Sequence, residues 1–190
     1  MSAGRLIYVI GPSGAGKDSV LAWLMQQAGP EDNLSVARRC ISRPGHEASE
    51  SHEALTPQAF AALRDAGAFV MHWSANGLEY GVRHAELAPL HQGRTVLVNG
   101  SRGWLEQARN KFPSLIVAQI MASPEVLAQR LQQRGRETPD RIAARLDRAR
   151  RLDLAPREVD ISIVNDTTLD AAGAELLRRL RLRRSISPLD

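Results

Sequence analysis

Between Arg5 and Gln27 an apolar run, RLIYVI, stops at Gly11. A glycine-rich turn, GPSGAGKDS, follows, and a helical pattern then places Val20, Leu21, Leu24 and Met25 on one side. Gly11, Gly16 and Lys17 satisfy the glycine and lysine spacing of a phosphate-binding P-loop, and the strand before and helix after them are the context that motif requires. A phosphate chain must approach the backbone closely, so Gly11, Gly14 and Gly16 leave room and permit positive φ angles. After Pro12, which has no N–H of its own, successive N–H groups from Ser13 and Ala15 to the helix start line a concave anion site. Lys17 adds a mobile positive charge for the outer phosphates. A plain strand-to-helix turn would not need the lysine.

One position departs from the motif, which carries Ser or Thr after the lysine as a Mg²⁺ ligand. Here it is Asp18, with Ser19 next. A carboxylate is a harder, charged ligand, so Mg²⁺ binding through Asp18 or Ser19 survives the change. The alternative is that Asp18 only stabilises the first helical turn through the helix dipole. The residues leave both open.

The 190 residues suggest one domain with a sizeable core, and 43% hydrophobic against 24% charged residues is ordinary globular composition. A single cysteine, Cys40, excludes an internal disulfide framework and fits a reducing compartment. The N-terminal apolar run leads straight into the glycine loop, unlike a signal peptide. No apolar stretch approaches the roughly 18 residues of a membrane span. A cytoplasmic protein is therefore expected. The net charge of +4 is carried almost wholly by arginine, since Lys17 and Lys111 are the only lysines. Arginine suits bidentate phosphate contacts. With 4% aromatic residues there is little to stack on bases, which favours a small substrate with several phosphates over nucleic acid.

Candidate strands are Arg5–Ile10, Val36–Ser42, Phe69–Trp73, Thr95–Asn99, Leu115–Met121 and Asp160–Asn165. Helical patterns cover Lys17–Ala28, Pro57–Asp65, Ala85–His91, Gly103–Lys111, Pro124–Arg134, Pro139–Leu152 and Leu169–Arg183. Thr56, Ser123 and Thr138 each place a hydroxyl before a proline at a helix start. Short apolar strands alternating with helices predict an α/β fold of three layers, with a mainly parallel sheet and ligands at the strands' C-terminal ends. The C-terminal helix carries Leu176, Leu177, Leu180 and Leu182 among five arginines, and reads as an amphipathic helix docked on the sheet with a basic outer face. The polar stretch from Arg130 to Asp153 contains Arg134 and Arg136 around Gly135, candidates for a lid closing over phosphates.

GPSGAGK, the segment FVMHWSANGLEYGV ending in Tyr80-Gly81, RLQQRGRE followed by Arg145-Leu146, and IVND near Asn165 together resemble the guanylate kinase family over nearly the whole chain. The resemblance implies a single kinase domain over 1–190 of nucleoside monophosphate kinase layout, with an acceptor-binding arm at about 36–82 and a lid at about 130–150. Guanylate kinases read the guanine edge with a glutamate where this chain has Met71, which accepts no hydrogen bond from a guanine N–H pair. Their aspartate after the strand at Thr95 falls at Asn99 or Gly100, their tyrosine of the arm at His52, and their second acceptor arginine has no clear match, His46 being nearest.

Those substitutions, with GPSGAGKDS, SESHEAL, ANGLEYGV and VNGSR, are similar to the ribose 1,5-bisphosphate phosphokinases of phosphonate catabolism. That resemblance implies transfer of the ATP γ-phosphoryl group to the 1-phosphate of ribose 1,5-bisphosphate. It implies ATP and Mg²⁺ as cofactors, Gly11 to Ser19, Arg130 and Asn165 on ATP, and Lys17, Arg134 and Arg145 as catalytic groups. Arg43, His52 and Tyr80 would hold the acceptor, with Asn99, Ser101 and Arg102 near its sugar or second phosphate.

Overall fold

The structure is a computed structural model that describes residues 4–43, 52–133, 139–151 and 158–185. Arg134, Gly135, Arg136, the cap Thr138 and His46 lie outside these residues. The chain divides into two compact units, one of Met1–Ile7 with Leu34–Leu115, the other of Tyr8–Asn33 with Ile116–Asp190.

In chain order the elements are β1 (Arg5–Ile10), α1 (Lys17–Gln27), β2 (Leu34–Val36), β3 (Arg39–Ile41), β4 (His52–Ala54), α2 (Pro57–Asp65), β5 (Phe69–Ala75), β6 (Leu78–Arg83), β7 (Thr95–Asn99), α3 (Leu105–Lys111), β8 (Ile116–Met121), α4 (Pro124–Gln133), α5 (Pro139–Arg151), β9 (Ile161–Val164) and α6 (Leu169–Ser185). Short 3₁₀ turns span Pro30–Asp32, His84–Gln92 and Arg102–Trp104. One sheet has the order β2-β7-β1-β8-β9, and its β2–β7 and β8–β9 pairs are parallel. The second sheet, β4-β3-β6-β5, lies wholly in the first unit. The α/β class with a mainly parallel sheet is the one expected.

In the second unit, Tyr8, Val9, Ile10, Val117, Ala118 and Ile120 are fully buried, which is why β1 and β8 read as unbroken apolar runs. β9 alternates instead, with Ile161 and Ile163 inside and Val164 63% exposed, because it closes the sheet edge. Val20, Leu21 and Leu24 of α1 and Leu176, Leu177 and Leu180 of α6 are buried. Each such side chain stabilises the unit by about 1.5–3 kcal/mol. The arginines on the outer face of α6 are largely neutralised: Arg178 and Arg179 share Glu175, Arg181 grips Asp32 and Arg183 meets Asp160.

In the first unit, β5 and β6 form a hairpin through Asn76 and Gly77, both at positive φ (53° and 76°). Asn-Gly is the residue pair such two-residue turns demand, yet β6 was absent from the strands expected from sequence, as was β4. Phe60 of α2 stacks on Phe69 with centroids 4.7 Å apart, and Cys40 packs with them.

The single strand expected at Val36–Ser42 is two strands in two sheets. The Ala37 N–H bonds to the Leu97 carbonyl and the Arg38 N–H to the Glu86 carboxylate, so the chain leaves β7 at this point and joins β6 as β3. The helix expected at Ala85–His91 is a 3₁₀ turn with Pro89 inside, where a missing N–H disfavours α-helical bonding. Thr56 caps α2 through the Ala59 N–H at 3.1 Å, as its position before Pro57 implied.

Candidate active site

The glycine-rich turn connects β1 to α1 inside the second unit. Gly11, Gly14 and Gly16 have φ of 152°, 90° and 86°. A Cβ on Gly11 would stand 2.0 Å from the Ile120 carbonyl oxygen, so the loop can lie against β8 only with glycine there. Gly16 is the N-cap of α1 in a left-handed conformation, and no side chain among the described residues caps the helix. The first-turn N–H groups and the positive end of the helix dipole thus present an anion site. Lys17 Nζ donates to the carbonyls of Gly11 (2.9 Å) and Pro12 (3.1 Å), which curls the ammonium back over the loop.

Beside this loop is a cavity of about 340 Å³ lined by Gly14, Gly16, Ser19, Arg130, Gln133, Asn165 and Leu169. Asn165 is 3% exposed, and its Nδ2 donates to the Ala15 carbonyl at 2.8 Å, which fixes which way the amide faces. Among the described residues, neither Asn165 Oδ1 nor Arg130 Nη1, both buried, has a hydrogen-bond partner. A buried acceptor and a buried donor left open cost about 1–3 kcal/mol each, a debt a polar ligand removes. Arg145 on α5 donates from Nη1 to the Ser13 hydroxyl. A nucleoside triphosphate therefore fits: backbone amides and Lys17 for phosphates, and two open polar atoms beside Gly16 in the cavity.

No group of three or more His, Cys, Asp or Glu side chains suited to a metal occurs among the described residues. Mg²⁺ on a nucleotide needs only one or two protein ligands beside phosphate and water. Half-buried Asp18 and exposed Ser19, at the second and third positions of α1, match that donor set.

The first unit brings together another group. Tyr80 on β6 lies opposite Trp73 on β5, their rings parallel within 4° at 5.7 Å, and Trp104 tilts onto Trp73 at 6.2 Å. The Arg39 guanidinium sits 5.7 Å from the Tyr80 ring centre, and the residue as a whole is 9% exposed. Met71, two residues before Trp73 on the same sheet face, is completely buried. Arg43 follows β3 and is half-buried, and His52 opens β4, beside Arg39. Asn99 is buried at the end of β7, followed by half-buried Ser101 and Arg102 at the turn that carries Trp104.

On the opposite face of that sheet, Arg83 holds Glu53 by two bonds, at 2.7 and 3.2 Å, and the Cys40 thiol donates to the same carboxylate. The Arg83 guanidinium holds the Glu53 carboxyl below its ordinary range. Burial, aided by the Glu53 carboxylate, pushes the Cys40 thiol up to about 11. Sequence reasoning missed Arg39, Trp73, Trp104 and the Glu53–Arg83 pair. The Arg38-Arg39 pair just before Cys40 and Ile41 was the available signal for Arg39.

The guanylate kinase family model matches residues 3–181. The chain belongs to the guanylate kinase family. Within that family it is 41% identical over 180 residues to a ribose 1,5-bisphosphate phosphokinase PhnN of Thiobacillus denitrificans, covering 95% of this chain and 94% of the relative. It is 48% identical over 149 residues to the protein of the same name from Pseudomonas paraeruginosa, covering 76% and 78%. To the guanylate kinase of Anaplasma phagocytophilum it is similar in fold, with a TM-score of 0.73 over 99% of this chain and 89% of that one at 18% identity. No helix among the described residues is long and apolar enough to cross a membrane.

Proposed function

We propose that the chain transfers the γ-phosphoryl group of ATP to the 1-phosphate of ribose 1,5-bisphosphate, giving 5-phosphoribosyl 1-diphosphate and ADP. The observation that carries this reading is Met71. At the place where the family keeps its guanine-reading carboxylate, the chain has a thioether with no exposure at all. An acceptor without a base needs no such reader. The relatives that bear the phosphokinase name support the same choice.

In this reading the loop Gly11–Ser19 holds the ATP phosphates, and Asn165 Oδ1 and Arg130 Nη1 serve the remainder of the nucleotide in their cavity. Bound Mg²⁺, held by Asp18 or Ser19, supplies charge neutralisation on the phosphates. Lys17 leaves its loop carbonyls for the outer phosphates, and Arg145 and Arg134 act on the group in transfer. Arg43 and Tyr80, with His52, hold an acceptor phosphate, and Arg39 braces Tyr80. Asn99, Ser101 and Arg102 serve the sugar or the other phosphate.

The nucleophile is a phosphate oxygen already ionised at neutral pH, so the reaction calls for no general base. Catalysis then consists of positioning and electrostatic stabilisation by cations. An acceptor screen with purified protein and Mg-ATP tests the reading: turnover with ribose 1,5-bisphosphate and little with GMP is expected. No turnover with the bisphosphate, or a preference for GMP, rejects it.

A further inference from the structure

We propose that the Ser13 hydroxyl is a positioning group for Arg145, docking the α5 arginine on the phosphate loop before any phosphate arrives. The inference rests on the functional reading above only in treating Arg145 as acting on the phosphoryl group. Its own basis is geometric. Ser13 stands between Pro12 and Gly14, on a stretch whose path is fixed by the positive φ of Gly11 and Gly14 and by the turn from the Ala15 N–H to the Pro12 carbonyl at 3.2 Å. Its side chain therefore projects from a rigid support. Arg145 reaches that hydroxyl from 132 residues away in sequence, from a helix seated by Ile142, which is 8% exposed.

The consequence is electrostatic. Lys17 is held on the carbonyls of Gly11 and Pro12, and Arg145 on the next side chain along, so one short loop gathers two cations. Two like charges gathered at the start of α1 raise the local positive potential where a polyphosphate would bind. Held this way, the guanidinium needs little reorganisation when charge develops on the transferring group, which is where preorganised donors act most. Ser13 does not itself neutralise that charge; it acts through Arg145.

A double-mutant cycle tests this. Steady-state kinetics with Mg-ATP and ribose 1,5-bisphosphate would be measured for the unaltered chain, Ser13→Ala, Arg145→Ala and the double variant. Loss of a hydrogen bond to a charged group should lower kcat about tenfold in Ser13→Ala, with the acceptor KM changed less than about twofold. In the Arg145→Ala background the same change should cost less than about twofold. Ser13→Thr, which keeps the hydroxyl, should recover most of the rate. Ser13→Cys, of similar size but a poor acceptor, should behave as the alanine variant and serves if that one fails to fold. Equal losses in both backgrounds, or an unchanged kcat in Ser13→Ala, would overturn the proposal. The cycle repeated on ATP affinity by calorimetry does not involve the acceptor. An unaltered chain inactive on the bisphosphate would strike the reaction reading, while coupling or additivity in ATP binding would still decide the Ser13–Arg145 pairing.

Discussion

The glycine-rich loop of the second unit and the Trp73–Tyr80 surface of the first are built by different means. In the second unit the phosphate loop is shaped by backbone: three glycines at positive φ, a helix start capped by no side chain among the described residues, and one lysine folded onto loop carbonyls. In the first unit the surface around Tyr80 is shaped by side chains: Trp73 stacked on Tyr80 and Arg39 over the same ring. A backbone-built site tolerates many neighbours and keeps one chemistry. A side-chain-built site can change its ligand by a few substitutions on an unchanged frame, and in the proposed reading Met71 is such a substitution.

The largest test of that contrast is Lys17→Ala. The loop's path is set by its glycines, so the fold should persist, with stability lowered by about 1–2 kcal/mol for the two carbonyl bonds lost. Turnover should fall about 10²–10³-fold, the usual loss when one preorganised transition-state donor is removed. Near-normal turnover would show that the ammonium has no part in transfer.

Asn165→Leu comes next, and it asks whether the open amide oxygen serves the nucleotide. The change removes both the bond to the Ala15 carbonyl and the unpaired Oδ1. At about 1–2 kcal/mol the KM for ATP should rise roughly 5–30-fold. The KM for the acceptor should stay within about twofold. Equal changes in both would mean that the residue supports general packing instead.

How far the sequence reached follows the same division. The strand–loop–helix unit was legible to its residue bounds, because β1 is Arg5–Ile10 and α1 begins at Lys17 as the pattern required. Glycine spacing encodes backbone geometry directly, so nothing tertiary was needed to read it. The second sheet was half missed. β4 is three residues long, and β6 carries a Glu, a Tyr and an Arg among its six residues, too polar for an apolar-run criterion, although Asn76-Gly77 announced the hairpin. The break between β2 and β3 was invisible because one short continuous stretch, VARRCIS, serves two sheets, and only pairing partners divide it. Arg39 escaped because its role comes from Tyr80 across the sheet, a neighbour 41 positions away by residue number.

Arg39→Met sharpens the acceptor half of the comparison. The substitution keeps the length of the stem and removes the charge over Tyr80. A partly desolvated cation–π contact is worth about 0.5–2 kcal/mol, so the denaturant midpoint should fall modestly. Acceptor KM should rise by a few-fold as Tyr80 loses its brace, with ATP KM unchanged. Emission from Trp73 and Trp104, read in a Trp23→Phe background, reports the first unit alone and should shift. A rise confined to ATP KM would place Arg39 in the wrong half.

The smallest effects concern the Cys40–Glu53–Arg83 cluster and give opposite signs at the two ends of the pH scale. Arg83 depresses the folded Glu53 carboxyl below its ordinary value. Its stabilising contribution is therefore present above that value and is lost as pH falls through the depressed one. Both partners are about one-third exposed, so solvent screening holds the effect to a few tenths of a kcal/mol. Glu53→Gln should flatten the acid limb of the denaturant midpoint against pH by that amount. Cys40 behaves conversely, since burial raises its thiol from 9.0 to about 11. Its contribution is complete below about pH 9 and disappears as pH rises through about 11, where the thiolate would have to form beside Glu53. At pH 8 the folded protein should thus react slowly with a thiol reagent, and the urea-unfolded chain rapidly. Fast labelling of the folded chain at pH 8, with the enzyme still active, would mean that the first unit opens readily around β3.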